Sequence, residues 1–241
     1  MEAKLQNEVT VSEVQSEEVA AASAEAVILP YETDQIYEVE KLDKVKRKPI
    51  YSFIKRCFDF FVCFIALTIL APIMLIVAII IKCSSKGPIF YVQKRLGYRG
   101  KIISVPKFRS MRADAEKDGA RWSNGDKDDR IYPFGRFLRK TRLDEIPQLW
   151  CCVIGTMSLI GPRPEREMFA VEFEKYIPGF SQRLLVKPGI TGWAQVNGGY
   201  DLKPEEKIVY DIEYIKKRSL WMDIKILFKT VGVIFSHKGA K

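Results

Sequence analysis

The chain is expected to fold as a helix-dominated α+β protein with a small β-hairpin, attached to a membrane through one apolar helix. Three observations carry that expectation. Residues 60–81, FFVCFIALTILAPIMLIVAIII, run for 22 residues without a charge, which is long enough to cross a bilayer as a helix. Residues 84–112 set short β-rich runs between Gly-Pro and Gly-Tyr-Arg-Gly turn signals, the pattern of a hairpin. Further on, apolar residues recur at helical spacing in segments bounded by Gly and Pro.

The elements follow in order. Residues 1–43 carry eleven acids and two bases in a stretch short of aromatics. Such a segment cannot offset the entropy of ordering and reads as a disordered acidic tail. It lacks a basic start followed by an apolar run, so it is not a secretory signal. Residues 44–57 form a basic juxtamembrane segment containing Lys44, Lys46, Arg47, Lys48, Lys55 and Arg56. Residues 58–82 form the membrane helix, in which Asp59 is placed to pair with Lys55 one turn earlier. Pro72 cannot donate to the carbonyl of Thr68 and clashes with that turn, so a break is expected at Ala71-Pro72. Two arms of about ten residues, each about 15 Å long, would dip into one leaflet and return. Both flanks are basic, and positive charge favours the cytoplasmic side. A re-entrant hairpin and a kinked spanning helix are both open on these features.

Residues 83–241 form the remaining unit. Strands are expected at Ile89–Val92 and Ile102–Val105, and a short helix at Met111–Lys117. Residues 119–135 read as loop and residues 135–140 as a short helix or turn. Asp144 is placed to cap a helix whose apolar face is Leu149, Trp150, Val153 and Ile154 and which Gly155 ends. Gly161-Pro162-Arg163-Pro164 is a rigid turn into a helix over Glu165–Tyr176, and Glu205–Lys217 is another helix. Near the C-terminus, Trp221, Ile224, Leu227, Phe228, Val231 and Phe235 make one stripe. The ordinary reading packs that stripe into the core; the alternative lays an amphipathic helix in the bilayer interface.

Charge narrows the function. The formal charge is +9, and the portion after residue 43 alone carries +18. An anionic partner is implied: a membrane surface, a phosphorylated molecule or nucleic acid. Cys57, Cys63, Cys83, Cys151 and Cys152 lack Cys-x-x-Cys spacing, and His237 is the one histidine, lying in a basic tail. A structural zinc site and a disulfide framework are disfavoured. No dinucleotide fingerprint, phosphate loop or nucleic-acid module is present. Asp126-Lys127-Asp128 matches a metal-binding Asp-x-Asp pattern only weakly.

The stretch RLDEIPQ, Arg142–Gln148, sets Asp144 and Glu145 beside Arg136, Arg139 and Arg142. Capping alone would explain the two acids. The same geometry would also suit chemistry. A helix start and three arginines attract phosphate, and an Asp carboxylate there can attack phosphorus. Two carboxylates also offer oxygen ligands for Mg²⁺. Arg163, held between prolines, and Lys107 and Arg109, two apart in PKFRSM, are further candidates for phosphate.

Taken together, these pieces resemble the bacterial sugar transferase family, the monotopic phosphoglycosyl transferases. The resemblance runs from about Lys55 to the C-terminus. It rests on KRCFD before the proline-interrupted run, KGPIFYVQKRLGYRGK, KFRSMRADAE, DDRIYPFGRFLRKTRLDEIPQLW, MSLIGPRPE and PGITGWAQVNG, in that order. It implies a monotopic fold with a re-entrant helix hinged at Ala71-Pro72 and interfacial amphipathic helices. Residues 83–241 would be the catalytic domain, on the cytoplasmic face of the inner membrane. The implied reaction transfers a phosphosugar from a UDP-sugar to polyprenyl (undecaprenyl) phosphate and releases UMP, as the first membrane step of exopolysaccharide, capsule or glycoconjugate assembly. Asp144 would be the nucleophile, and Glu145 would help with Mg²⁺ or with positioning. Lys107, Arg109, Arg136, Arg139, Arg142 and Arg163 would bind phosphate, and Lys55 and Arg56 would meet the lipid phosphate at the membrane surface.

The family often has Ser-Pro where Ala71-Pro72 stands, Asn where Cys151 stands and Asp where Thr156 stands. Larger members add membrane spans upstream, so this chain is expected to be a minimal catalytic form. Two other readings stand beside it: a membrane-tethered basic scaffold, and a glycosyltransferase that releases UDP. The sugar and homo-oligomer formation are left open, and no nucleic-acid partner is expected.

Overall fold

In a computed structural model of the chain, residues 35–42, 44–115, 117, 128–198 and 202–236 are described. The acidic residues 1–34, most of the Asp126–Asp128 pattern and His237 lie outside them.

One long helix, α1 (Pro49–Ser84), opens the described fold. It is the single described helix long and apolar enough to cross a membrane. At Ala71-Pro72 the two expected arms are joined as one helical run rather than separated by a loop. Proline's own φ is helical, so only the one hydrogen bond to the preceding turn is lost, and neighbouring turns keep theirs. Asp59, Cys63, Val77 and Ile81 are buried along one side of α1. Phe61, Phe64, Ile65, Ile69, Leu75 and Ile79 on the other sides are exposed.

The hairpin is longer than expected. Strand β1 (Phe90–Leu96) pairs antiparallel with β2 (Ile102–Phe108), with Tyr91 opposite Lys107. The expected helix at Met111–Lys117 does not form: Met111 bridges to Ile131 and residues 113–115 are turn. Helix α2 (Pro133–Thr141) starts on a proline, which is tolerated there because the first-turn N–H needs no helical acceptor. A 3₁₀ segment (Leu143–Gln148) leads into α3 (Leu149–Ile154), which Gly155 ends at φ 86°.

Strand β3 (Ser158–Ile160) pairs in parallel with β4 (Gly189–Thr191). Between them lie α4 (Glu167–Tyr176) and a 3₁₀ segment (Phe180–Leu185). Helices α5 (Trp193–Gly198), α6 (Pro204–Lys217) and α7 (Leu220–Ser236) complete the unit.

Three apolar clusters join these elements. The largest packs α4, α6 and α7 around Phe173, Phe180, Ile208 and Ile226. The second sets Cys63 of α1 against Cys151, Cys152 and Met157, and the third sets Val77 and Ile81 of α1 against Phe108 and Leu138. Both halves of α1 therefore rest on the same unit, on either side of Pro72.

Two tail expectations change. Residues 35–42 are not a loose tail: Leu42 is buried, its N–H reaches Gln182 Oε1 at 2.5 Å, and Tyr37 N–H reaches the Tyr176 carbonyl at 2.8 Å. Apolar side chains within this acidic stretch provide the contacts that order it. Of the C-terminal stripe, Leu227 packs against the core, but Trp221, Ile224, Phe228 and Val231 are exposed. Trp221 and Phe228 are 77% and 76% exposed, while Met222, Asp223 and Ile226 face inward. The helix is thus amphipathic, with its aromatic side outward.

Candidate functional site

Asp144 and Glu145 sit in the 3₁₀ segment between α2 and α3. Arg142 takes left-handed geometry at φ 58° and turns the chain there. Pro147, inside the segment, has no N–H to bond four residues back, which disfavours a regular α-helical start. Asp144 makes no side-chain cap, contrary to expectation. Helix α3 has only six residues, so positive potential at this point comes mainly from side chains rather than from a helix dipole.

The two acids have opposite surroundings. Glu145 accepts from Lys107 Nζ at 2.8 Å and is held by the Arg163 guanidinium through both carboxylate oxygens. Those two cations hold its carboxyl well below the usual range despite burial. Asp144 is 7% exposed, yet among the described residues its carboxylate accepts no hydrogen bond and joins no ion pair. Burial, then the adjacent Glu145 charge, push its pKa up to about 6, against the pull of Lys107, Arg139 and Arg163. Burial lowers the Lys107 pKa.

Arg163 is fixed by its turn. Four successive carbonyls are tied to four partners. Pro162 accepts from Gly189 N–H at 2.8 Å, Arg163 from Arg183 at 2.9 Å, Pro164 from Arg95, and Glu165 from Leu96 N–H at 2.8 Å. Gly161 and Gly189 make this possible: a Cβ on Gly189 would lie 2.0 Å from the Gly161 nitrogen.

A cleft of about 420 Å³ opens over these groups. Ten cationic side chains line it against Asp144, Glu145 and Glu165. Of the residues expected to bind phosphate, Lys107, Arg109, Arg139, Arg142 and Arg163 line it. Arg136 does not line it; it is exposed on α2. Arg130, in the cationic run before the two acids, also lines the cleft, as do Arg95, Arg112, Arg166 and Lys207, which the sequence does not mark as candidates. Gln93 and Arg95, two apart on β1, shared the signal used for Lys107 and Arg109.

Three side chains expected to meet phosphate also have partners within the protein. Arg109 spends its guanidinium on the carbonyls of Ser85 and Lys86, at 2.6 and 2.8 Å, closing the end of α1. Arg56 binds the carbonyls of Cys152 and Val153 at the end of α3, at 2.6 and 2.7 Å. Lys55 pairs with Asp223 of α7 at 3.0 Å, not with Asp59. Asp59 accepts from Ser158 Oγ at 2.7 Å and Leu159 N–H at 3.1 Å. In each case an orphan carbonyl or a buried carboxylate from a distant element claims the side chain first.

A buried carboxylate thus lies in a cleft lined by cations, on a unit that also carries one helix long and apolar enough to cross a membrane. The chain belongs to the bacterial sugar transferase family, whose model matches residues 50–237. It is 41% identical over 211 residues to the UDP-N-acetylgalactosamine-undecaprenyl-phosphate N-acetylgalactosaminephosphotransferase of Aeromonas hydrophila, covering 86% of this chain and 49% of that protein. It is 38% identical to the UDP-glucose:undecaprenyl-phosphate glucose-1-phosphate transferase of Escherichia coli K12, covering 84% and 46%. It is also 38% identical to the undecaprenyl-phosphate galactose phosphotransferase of Salmonella typhimurium, covering 78% and 42%. The chain spans about half the length of these relatives.

Proposed function

We propose that this protein transfers a sugar 1-phosphate from a UDP-sugar to undecaprenyl phosphate, releasing UMP. The free, buried Asp144 carboxylate amid a basic cleft is the observation that carries this reading. An Asp144 oxygen attacks the β-phosphorus. The bond from that phosphorus to the bridging oxygen breaks, and its electron pair leaves on UMP. The resulting aspartyl phosphosugar is attacked by an oxygen of the lipid phosphate, which forms the polyprenyl-diphosphate sugar and returns the carboxylate. Neither step needs a proton from the protein. Glu145, bound by Lys107 and Arg163, holds those cations at the cleft wall, where they face the diphosphate. Arg139 and Arg142 add charge from α2 and the turn after it.

Among the described residues no three metal-ligating side chains converge. Mg²⁺ is usually held by one or two carboxylates plus substrate phosphates. Asp144 would hold it; Glu145, with both oxygens on cations, is a poor second ligand. When bound, Mg²⁺ would neutralise phosphate charge. The three relatives' names cover N-acetylgalactosamine, glucose and galactose, so the sugar itself is not assigned.

The monotopic reading gains support from α1. Contacts on both sides of Pro72 with one unit favour keeping both helix ends on one membrane face. The basic flanks favour the cytoplasmic face. The exposed Trp221 and Phe228 of α7, tied to α1 through Lys55 and Asp223, suit the same interface. The test is a screen of UDP-sugars with undecaprenyl phosphate and Mg²⁺ for released UMP. Release of UDP, or of no nucleotide across the panel, would refute the reaction.

A further inference from the structure

We propose that Arg183 and Asp211 form a positioning pair for Arg163, and through it for Glu145 and the reacting carboxylate. The inference rests on the phosphosugar-transfer reading. Arg183 lies in the 3₁₀ segment Phe180–Leu185 and Asp211 on α6; they are 4% and 1% exposed and 2.8 Å apart. The Arg183 guanidinium also lies 4.7 Å from the Phe180 ring centroid and donates to the Arg163 carbonyl at 2.9 Å.

Two arguments join here. Pro162 and Pro164 have no N–H, so the turn that carries Arg163 cannot be tied by its own donors at those positions. Donors must come from outside, and Arg183 supplies the one on Arg163 itself. Second, a buried ion pair is poor value for stability, since apolar replacements are often neutral or stabilising. Its use is then geometric. The Asp211 charge holds the guanidinium by an ion-pair contact at 2.8 Å, the guanidinium donates to the Arg163 carbonyl, and the Arg163 side chain grips Glu145. Gln182, next to Arg183, is itself held by the strap at residues 40–42. Positioning thus extends from the segment before the membrane helix to the cleft.

The decisive variant is the double change Arg183→Met with Asp211→Leu, which removes both charges at similar volume. Its melting temperature should stay near the parent's. Single-turnover UMP release should slow by about tenfold or more, as displaced catalytic groups do, with KM for the UDP-sugar changed far less. Arg183→Lys keeps the charge but loses the fork, and should fall between the two; it serves if the double variant misfolds. Amide hydrogen exchange is read in parallel at Leu96 and Gly189, whose N–H groups bind Glu165 and Pro162. Faster exchange at both in the variant supports the pair whether or not the parent turns over. Parent-like exchange, or UMP release within twofold of the parent, would overturn it. A parent that releases no UMP would instead fail the reaction, leaving exchange to decide the positioning.

Discussion

Asp144 and Asp223 are buried almost equally, at 7% and 6% exposure, yet they sit in opposite kinds of place. Asp223, where α7 meets α1, accepts from Tyr51 at 2.8 Å and Tyr214 at 2.9 Å and pairs with Lys55 at 3.0 Å. Asp144, at the floor of the cleft, accepts from none of the described residues. A carboxylate with every oxygen satisfied is a strut. One buried with no partner among the described residues costs stability, and that cost is explained if a ligand or substrate supplies what is missing.

The comparison can be broken at its strongest point first. Asp144→Asn should lower UMP release by about four orders of magnitude or more, as loss of a nucleophile does. It should not lower stability. The folded carboxyl holds its proton up to about pH 6, against 3.8 unfolded. Folding therefore loses stability as pH rises between those values, and the ionised group is a burden at pH 7. A melting temperature equal to or above the parent's, measured at pH 7, is expected.

Glu145→Gln comes next, with an expected loss of about a hundredfold. Freed Lys107 and Arg163 would turn toward Asp144 and begin to make it a strut. With the Glu145 charge gone as well, the acid limb of the pH–rate profile should move below its parent position. An unmoved limb would show that the two acids do not share cations.

Asp223→Ala should act on the other side of the contrast. Leaving Tyr51, Tyr214 and Lys55 without their acceptor should cost about 3 kcal/mol of stability, read by chemical denaturation in detergent. Activity per folded molecule should change only a few-fold. The gentlest test is pH itself: in the parent, kcat/KM should fall about tenfold per unit below pH 6 as Asp144 takes its proton.

How far the sequence reached can be judged from particular residues. The Asp144-Glu145 pair, the Pro-Arg-Pro turn and the hairpin were legible because each is written in neighbouring residues. Proline stiffness, strand alternation and Gly turns act over a few positions. The partners of Arg56, Arg109 and Lys55 are not legible because they lie 96, 24 and 168 positions away. The outward face of α7 was ambiguous because periodicity finds a stripe but not what covers it.

The sequence by itself thus determined the long apolar segment, the excess of cations and the adjacent acid pair. Only the tertiary structure decided which acid stays free and which arginines are already committed. The reason is electrostatic: a charge is available to a ligand only if no folded neighbour has satisfied it first, and those neighbours come from anywhere in the chain.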